Sequence, residues 1–334
     1  MKYFLFIIFL FVFFAFNCKS PTAPKSNYTP PGSRDYTWTI DTLYSPNNNL
    51  YAIYGADTND IWLGGPGGIT SYDRLWHYDG KSWTPYPHYL ASFPNTIFGF
   101  SKDNIWLGGN NGDIYHWDGF DWILNYRISD NGDVIYIWGI SPNDVYALEY
   151  QSIYHFDGNS WKDECNVTGT SIQFHYILQE GNQVYVGGLK SHPYDTTKDS
   201  LVFYKYNNMS LIPIYSAKKD DIVWADMNLL GNKIYFLIGK DLTRYINGQF
   251  IKVTSFNISN FGYEFYGRSE KDIFIRMQDG ISHYNGTDIQ YLLKYKVNTT
   301  SLSNNALFFD NDVFFTAKDY LYGGNLVIHG RINN

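Results

Sequence analysis

The sequence repeats one short pattern seven times. An aliphatic residue followed by an aromatic one recurs, at spacings of 44, 40, 39, 50, 39 and 40 residues from one copy to the next. The copies are Ile61-Trp62, Ile105-Trp106, Val145-Tyr146, Val184-Tyr185, Ile234-Tyr235, Ile273-Phe274 and Val313-Phe314. A period of about 40 residues predicts a series of equivalent modules, each of which buries its apolar face against its neighbours.

Each module has the pattern of four short β-strands. In the second module these strands are predicted at Thr96–Ser101, Asn104–Gly109, Asp113–Gly119 and Trp122–Tyr126. Aromatic residues favour pleated sheet, and Phe, Trp and Tyr make up 19% of the chain. Asp-Gly and Asn-Gly pairs between the third and fourth segments supply the positive φ of hairpin turns. Seven such units predict an all-β chain that forms a seven-bladed β-propeller of four-stranded antiparallel blades.

The last module lacks a fourth strand. Residues 304–334 provide three predicted strands, after which the sequence ends. Asp35–Tyr44, before the first module, has the pattern of an isolated outer strand, and Trp38 matches the Trp of other fourth strands. We therefore predict that this N-terminal strand completes the last blade, so that residues 35–334 form one closed ring without an exposed edge.

The N-terminal residues have the layout of an export signal. Residues 1–17 contain one early Lys and an apolar run of about 14 residues, which is too short to span a bilayer. Ala15-Phe16-Asn17-Cys18 resembles the lipobox of bacterial lipoproteins, which implies acylation of Cys18. Residues 18–34 are rich in Pro, Ser and Thr, the composition of an extended tether. The alternative is that Cys18 is incidental, in a leader that is uncleaved or cleaved elsewhere.

Charge and cysteine content exclude several functions. The net charge of -7, without a basic stripe, disfavours nucleic acid as a partner. Cys165 is the other cysteine of the sequence, so the domain can form no internal disulfide. We predict a monomeric propeller that is stabilised by packing.

Residues 61–83 read IWLGGPGGITSYDRLWHYDGKSW, with Gly64-Gly65, then Tyr78-Asp79, then Trp83. This pattern resembles a kelch-like repeat and recurs at Gly108-Gly109, Trp117-Asp118 and Trp122, with a weaker copy at Gly187-Gly188. The modules are also similar to those of bacterial surface lipoproteins. The resemblance implies a propeller that binds a partner.

Several chemistry-bearing residues follow the period of the repeat. Residues that repeat in register lie on different blades, so they cannot converge on one metal ion or one reacting centre. We predict that the recurring histidines bond to turn aspartates or backbone carbonyls, that the recurring acids form turns, and that the recurring tryptophans pack between blades. The histidines are His77, His116, His155, His283 and His329. No catalytic residue, cofactor or metal is predicted.

Two loops between second and third strands depart from the repeat. Pro66–Leu75 contains Tyr72, Asp73 and Arg74, and the longer Leu189–Ser200 contains His192, Tyr194 and Asp195. Equivalent loops project from the same face, and loops on a rigid scaffold carry specific contacts. We predict that these six residues bind a partner; the alternative is that both loops are tolerated insertions.

These observations predict a membrane-anchored extracytoplasmic lipoprotein at the bacterial cell envelope or surface, which binds or scaffolds a protein or glycan. The alternative is a glycan-processing enzyme of the cell envelope. A non-repeated group of carboxylates at one mouth of the channel, with perturbed pKa values, would favour the enzyme.

Overall fold

A computed structural model describes residues 31–44, 49–66, 73–128, 132–207, 209–219, 221, 224–295 and 300–333. The predicted signal peptide (1–17), Cys18 and most of the predicted tether (18–34) lie outside these ranges. The last predicted tether residues are described, and Arg34 Nη2 donates to the carbonyl of Asp288 at 2.6 Å, on the sixth blade.

The described residues form 28 β-strands in seven four-stranded antiparallel sheets. Blade one contains β2 (Ala52–Asp57), β3 (Asp60–Gly64), β4 (Leu75–Tyr78) and β5 (Trp83–Pro85). Blade two contains β6 (Pro94–Ser101), β7 (Asn104–Gly109), β8 (Asp113–Trp117) and β9 (Trp122–Arg127). Blade three contains β10 (Tyr136–Ser141), β11 (Asp144–Glu149), β12 (Ser152–Phe156) and β13 (Trp161–Asn166). Blade four contains β14 (Ile172–Glu180), β15 (Gln183–Lys190), β16 (Ser200–Asn207) and β17 (Ser210–Lys218).

The remaining three blades follow the same order. Blade five contains β18 (Ala225–Leu230), β19 (Lys233–Ile238), β20 (Asp241–Ile246) and β21 (Gln249–Ser255). Blade six contains β22 (Phe261–Ser269), β23 (Asp272–Met277), β24 (Gly280–Tyr284) and β25 (Ile289–Lys294). Blade seven contains β26 (Thr300–Phe308), β27 (Asp312–Asp319), β28 (Asn325–Ile332) and β1 (Tyr36–Leu43). Short 3₁₀ turns lie at Asn110–Gly112 and Thr196–Lys198.

The predicted ring is confirmed. The first strand of each blade contacts the first strand of both neighbouring blades, and β26 contacts β2 to close the circle. The N-terminal strand β1 pairs antiparallel with β28, from Tyr36 opposite Ile332 to Leu43 opposite Asn325. Closure of blade seven by the N-terminal strand is therefore also confirmed.

Aromatic side chains fill the spaces between blades, as predicted. Trp62 of blade one lies 4.8 Å from Trp117 and 5.4 Å from Trp122 of blade two, between ring centroids. Trp106 of blade two meets Trp161 of blade three edge to face at 5.4 Å. Each contact of this kind joins two separate sheets, so it stabilises the ring.

The recurring histidines pair with the residue that begins the second strand. Nε2 of His77, His155, His283 and His329 lies 2.6 to 2.8 Å from an oxygen of Asp60, Asp144, Asp272 and Asp312 respectively. In blade two, His116 makes the same contact with Asn104 at 3.2 Å. The predicted structural role is confirmed, because each imidazole is used inside its own blade.

The turns follow the predicted chemistry. The Gly of each Asp-Gly pair between third and fourth strands has positive φ: 88° at Gly80, 98° at Gly119 and 90° at Gly158. Asp79 Oδ1 accepts hydrogen bonds from the backbone of Lys81 and Ser82, which fixes the turn. Within the described ranges, no helix is long and apolar enough to cross a membrane.

Candidate functional site

A cavity of about 840 Å³ lies on the axis of the ring. First strands of all seven blades contribute residues to its wall, so these strands line a central channel. Tyr150 and Tyr320, in turns between second and third strands, line it too. The antiparallel order places these turns on the same face as the connections between blades. We call this side the connection face; the cavity reaches it at Tyr150 and Tyr320, which are 49% and 64% exposed.

One position of the innermost strands does not follow the repeat. In every blade, the first strand has an apolar residue at an equivalent place in its pairing with the second strand. Ile53 opposite Leu63 and Met227 opposite Phe236 are examples. We call the residues that immediately precede these apolar residues the channel row. From blade one to blade seven, the channel row is Ala52, Thr96, Tyr136, Tyr176, Asp226, Glu264 and Asn305. All except Ala52 line the cavity.

β-Bulges disturb several innermost strands near the connection face. Extra residues interrupt the pairing around Asn95 in β6, His175 in β14, 262–264 in β22 and 303–305 in β26. In β22, Tyr263 takes a left-handed conformation with φ of 63°. A bulge bends its strand and redirects side chains. Asn95, His175, Glu264 and Asn305 all line the cavity.

Glu264 is a buried acid whose charge is compensated. Arg276 Nη1, on the adjacent strand β23, donates to Glu264 Oε1 at 2.7 Å. The hydroxyl of Tyr266 donates to Glu264 Oε2 at 3.0 Å. Burial raises the pKa of Glu264 and outweighs the lowering by Arg276 and Tyr266. Both carboxylate oxygens therefore have protein partners.

Asp226 is a buried acid without such compensation. It is 5% exposed and lines the cavity. Its Oδ1 accepts the backbone N–H of Met227 at 2.8 Å, and in the part of the chain that the structure describes, Oδ2 has no hydrogen-bond partner. Burial, followed by repulsion from Glu264, raises the pKa of Asp226 well above its ordinary value. Since buried carboxylates are normally paired, Asp226 is the most unusual acid of the channel.

Two tyrosines of the channel row lie in blades three and four. The rings of Tyr136 and Tyr176 meet edge to face, with centroids 6.2 Å apart. Burial, and then the charge of Asp226, raises the pKa of both phenols, so both hydroxyls stay protonated. Neither hydroxyl has a hydrogen-bond partner among the described residues, and both side chains line the cavity. They can therefore donate to or accept from a ligand there.

His175 adds a fourth polar group to this side of the channel. It lies in the bulge of β14 and lines the cavity. Burial lowers the pKa of its imidazole, which favours the neutral form. Together with Tyr136, Tyr176 and Asp226, it forms what we call the channel site.

The predicted loop residues have varied environments. Tyr72 lies outside the described residues. The guanidinium of Arg74 lies 4.2 Å above the ring of Phe93, and Nη1 donates to the carbonyl of Leu90 at 3.2 Å. This side chain fastens the connection between blades one and two. Asp73, next to it, is partly buried.

In the second loop, His192 and Tyr194 are exposed, and Tyr194 is 94% exposed. Asp195 caps the 3₁₀ turn at Thr196–Lys198, where its Oδ1 accepts the backbone N–H of Thr197 at 3.2 Å. None of the described residues of the two loops lines the cavity. Partner binding by these loops stays a prediction.

Sequence reasoning missed the channel site because it followed the residues that repeat. The signal that could have found it is a position that does not repeat. In the channel row, the residue type changes from Ala and Thr to Tyr, Asp and Glu around the ring. Bulges in β14 and β22 shift this residue relative to the repeat, so a simple alignment hides it. Within the described ranges, no three His, Cys, Asp or Glu side chains group closely enough to hold a metal ion. Cys165 lies on the outer strand β13, where burial raises the pKa of its thiol.

Comparison with known proteins supports the fold. No protein-family model matches the sequence, and no curated protein matches it. Among solved structures, the chain is similar to YCF48 bound to a D1 peptide, with a TM-score of 0.65, 13% identity and coverage of 92% of this chain and 100% of that one. It is also similar to the WD40 β-propeller domain of Doa1, with a TM-score of 0.61, 13% identity and coverage of 89% and 98%.

A third similar structure is a catalytically inactive virginiamycin B lyase from Staphylococcus aureus with quinupristin. The TM-score is 0.61 at 13% identity, covering 88% of this chain and 99% of that one. At such identities, the likeness shows the fold, and function does not follow from a shared propeller. The chain is thus a seven-bladed β-propeller with a non-repeated polar site in its channel.

Proposed function

We propose that this chain is a membrane-anchored extracytoplasmic lipoprotein whose propeller binds a protein partner through its connection face. The observation that carries this proposal is the channel row, which departs from the repeat around a cavity of about 840 Å³. Thr96, Glu264 and Asn305 bond to other residues of the protein, whereas Tyr136, Tyr176 and Asp226 break the repeat and keep polar atoms available for a ligand.

Unsatisfied polar groups support binding at this mouth. Asp226 Oδ2 and the hydroxyls of Tyr136 and Tyr176 have no partners among the described residues, and all three side chains line the cavity. A ligand that forms hydrogen bonds with these three groups uses donors and acceptors that the described part of the protein leaves available. YCF48 has been solved with a D1 peptide, and Doa1 carries a WD40 propeller; both are examples of the same fold.

The two long loops form the outer part of the proposed surface. Asp73 and Arg74 in blade one, and His192, Tyr194 and Asp195 in blade four, belong to turns on the connection face. We propose that Tyr72, which lies outside the described residues, also contacts the partner. Exposed Tyr194 and His192 are suited to partner contact, since tyrosine provides a large contact area at low entropic cost. We place the chain among kelch-like propellers of the bacterial surface lipoprotein type.

The anchor in this proposal is an acylated Cys18 after removal of residues 1–17, with residues 18–34 as tether. Mass spectrometry of the mature N-terminus tests it, and a diacylated or triacylated Cys18 is expected. A mature protein that begins elsewhere, without acyl groups, would contradict the anchor and leave partner binding untouched.

Site-specific photo-crosslinking tests the binding surface. Replacement of Tyr150, at the mouth, by benzoylphenylalanine keeps an aromatic side chain in place. The matched control replaces Phe120, which is 87% exposed in a hairpin turn on the opposite face. After irradiation of intact cells, we expect a discrete cross-linked protein from position 150 and none from position 120. Absence of a product at 150, or the same product at both positions, would contradict the proposal.

The second candidate function is a glycan-processing enzyme of the cell envelope. Asp226 and Glu264 in one channel, both with raised pKa, favour it. Glycoside hydrolysis generally uses two carboxyl groups with separate roles. Glu264 is engaged on both oxygens by Arg276 and Tyr266, so binding ranks first. Turnover of envelope glycans that disappears in both Asp226→Asn and Glu264→Gln would establish the enzyme.

A further inference from the structure

We infer that the channel site receives an alkylammonium group, with Asp226 as its counter-ion and Tyr136 and Tyr176 beside it. In the proposed function, this group is a lysine side chain of the partner, inserted into the mouth of the channel. The inference rests on the proposed function for the source of the ammonium group, and on the cavity geometry for its chemistry.

Of the two acids in the channel, Asp226 has no cationic partner among the described residues. Arg276 is ion-paired with Glu264 at 2.7 Å, so one positive and one negative charge already balance. Asp226 faces this pair from β18, and Asn228 on the same strand is bonded to the carbonyl of Phe265 at 3.0 Å instead. An ionised Asp226 therefore gives the cavity a net negative charge, which a monovalent cation neutralises.

The aromatic wall suits a cation on an aliphatic stem. Tyr136, Tyr176, Trp138 and Phe98 all line the cavity. The ring centroids of Trp138 and Phe98 lie 6.2 Å apart. Aromatic faces attract ammonium groups, and a lysine stem buries its methylene groups against such surfaces. The hydroxyls of Tyr136 and Tyr176 can accept the remaining ammonium hydrogens.

Every titratable group around Asp226 is compatible with this ligand. Tyr136, Tyr176 and Tyr266 interact electrostatically with Asp226 and have raised pKa values, so they remain neutral. His175, with lowered pKa, is neutral near pH 7. Glu264 is compensated by Arg276. Burial raises the pKa of Asp226, so a bound ammonium should favour its ionised form and release a proton.

Other ligands fit less well. An anion would meet Asp226 and Glu264, while Arg276 already donates to Glu264. A neutral sugar could stack on Tyr136 and Tyr176, but it supplies no positive charge to neutralise Asp226 when that carboxyl group ionises. The ammonium group satisfies both the charge and the rings.

Titration calorimetry on the full-length chain in a mild detergent tests the inference with two probes. One is a capped glycine-rich peptide with a central lysine, compared with the same peptide carrying norleucine, which has a similar length and no charge. The other is cadaverine, which carries the same ammonium group as a free diamine. We expect the lysine peptide to bind at least about tenfold more tightly than the norleucine peptide. Titration in two buffers of different protonation enthalpy should show proton release.

Variants assign the binding to the channel. Asp226→Asn keeps the shape of the side chain and should weaken lysine-peptide binding about tenfold or more. Asp163→Asn, on the exposed outer strand β13, makes the same chemical change and should bind like the original chain. If Asp226→Asn does not fold, the comparison of lysine with norleucine on the original chain still decides.

Each outcome is decisive. Equal binding of lysine and norleucine peptides, binding of neither probe, or full binding by Asp226→Asn would overturn the ammonium site. Binding of cadaverine without the lysine peptide would support the site and identify a free polyamine as the source. Cross-linking at position 150 combined with no ammonium binding would overturn this inference alone. Ammonium binding without any cross-linked protein would overturn the protein partner alone.

Discussion

The spaces between blades and the channel row differ in how they use the repeat. Between blades, aromatic residues recur, as in the contacts of Trp62 with Trp122 and of Trp106 with Trp161. Along the channel row, the residue type changes from Ala52 to Asp226 around the ring. Contacts that all blades need for packing are repeated, whereas a site that must recognise one ligand breaks the symmetry. The comparison predicts that substitutions between blades affect stability and that substitutions in the channel affect binding.

The largest expected effect is loss of an inter-blade aromatic. Trp106 is 2% exposed and packs on Trp161, so Trp106→Ala should lower the free energy of unfolding by about 3–5 kcal/mol. Phe120→Ala, at an exposed hairpin, is the control and should change it by less than about 0.5 kcal/mol. Denaturant unfolding measures both. Similar changes in the free energy of unfolding for the two variants would contradict the role of inter-blade aromatic residues in stability.

A smaller loss is expected at the contact between blades six and seven. Asp272 lies 2.8 Å from His283 Nε2 and accepts from Arg268 Nη1 at 2.7 Å, while Arg268 Nε donates to the carbonyl of Phe309 in blade seven. Asp272→Asn should cost about 2–3 kcal/mol because Arg268 loses its counter-ion. Asp60→Asn changes the same histidine pair in blade one and should cost about 1 kcal/mol.

The pH dependence of Asp272 has a definite sign. Burial alone would raise its pKa, but His283 and Arg268 outweigh burial and lower it. The folded state therefore binds the proton less readily than the unfolded state. This contribution to stability is present above the unfolded pKa and is lost as pH falls through the folded pKa. In Asp272→Asn, the free energy of unfolding should therefore fall less steeply as the pH is lowered. The same pH dependence in the variant and the original chain would contradict this role of Asp272.

Asp226 should behave in the opposite way. Its pKa is raised by burial and by Glu264, so the folded state holds its proton more tightly than the unfolded state. Stability is therefore lost as pH rises above the unfolded pKa. Asp226→Asn removes this loss and should stabilise the chain by about 1 kcal/mol at pH 8, with less gain at pH 4. Urea unfolding at both pH values is the measurement, and a large destabilisation at pH 8 would assign Asp226 to packing instead of binding.

The smallest stability effect is expected at Tyr194, in the second of the predicted loops. Tyr194 is 94% exposed, so Tyr194→Ala should change the free energy of unfolding by less than about 0.5 kcal/mol while reducing cross-linking from position 150. Arg74→Ala should cost about 1–2 kcal/mol, since it removes contacts with Phe93 and the carbonyl of Leu90. Thermal unfolding and cross-linking yield measure the two properties separately. Unchanged yield with Tyr194→Ala would remove this loop from the binding surface.

The fold could be predicted because its causes are local and repeated. Strand patterns, Asp-Gly turns and aromatic positions recur in each module, and the missing fourth strand indicated where Tyr36–Leu43 pairs. The histidine pairs followed from the same logic, because a residue in register has the same neighbour in every blade. The channel site could not be predicted in this way, since Asp226, Glu264 and Tyr176 lie in three different blades. Their proximity depends on closure of the ring and on bulges in β14 and β22.

The sequence by itself determined the number of blades, their strand order and the closure by the N-terminal strand. These properties depend on hydrophobic periodicity and turn chemistry, which act within about 40 residues. Tertiary structure alone decided that Arg276 compensates Glu264 while Asp226 has no cation beside it. The physical reason is that burial and pairing of a charge depend on what the whole ring brings within a few ångströms of it, and this arrangement has no signature within any single repeat.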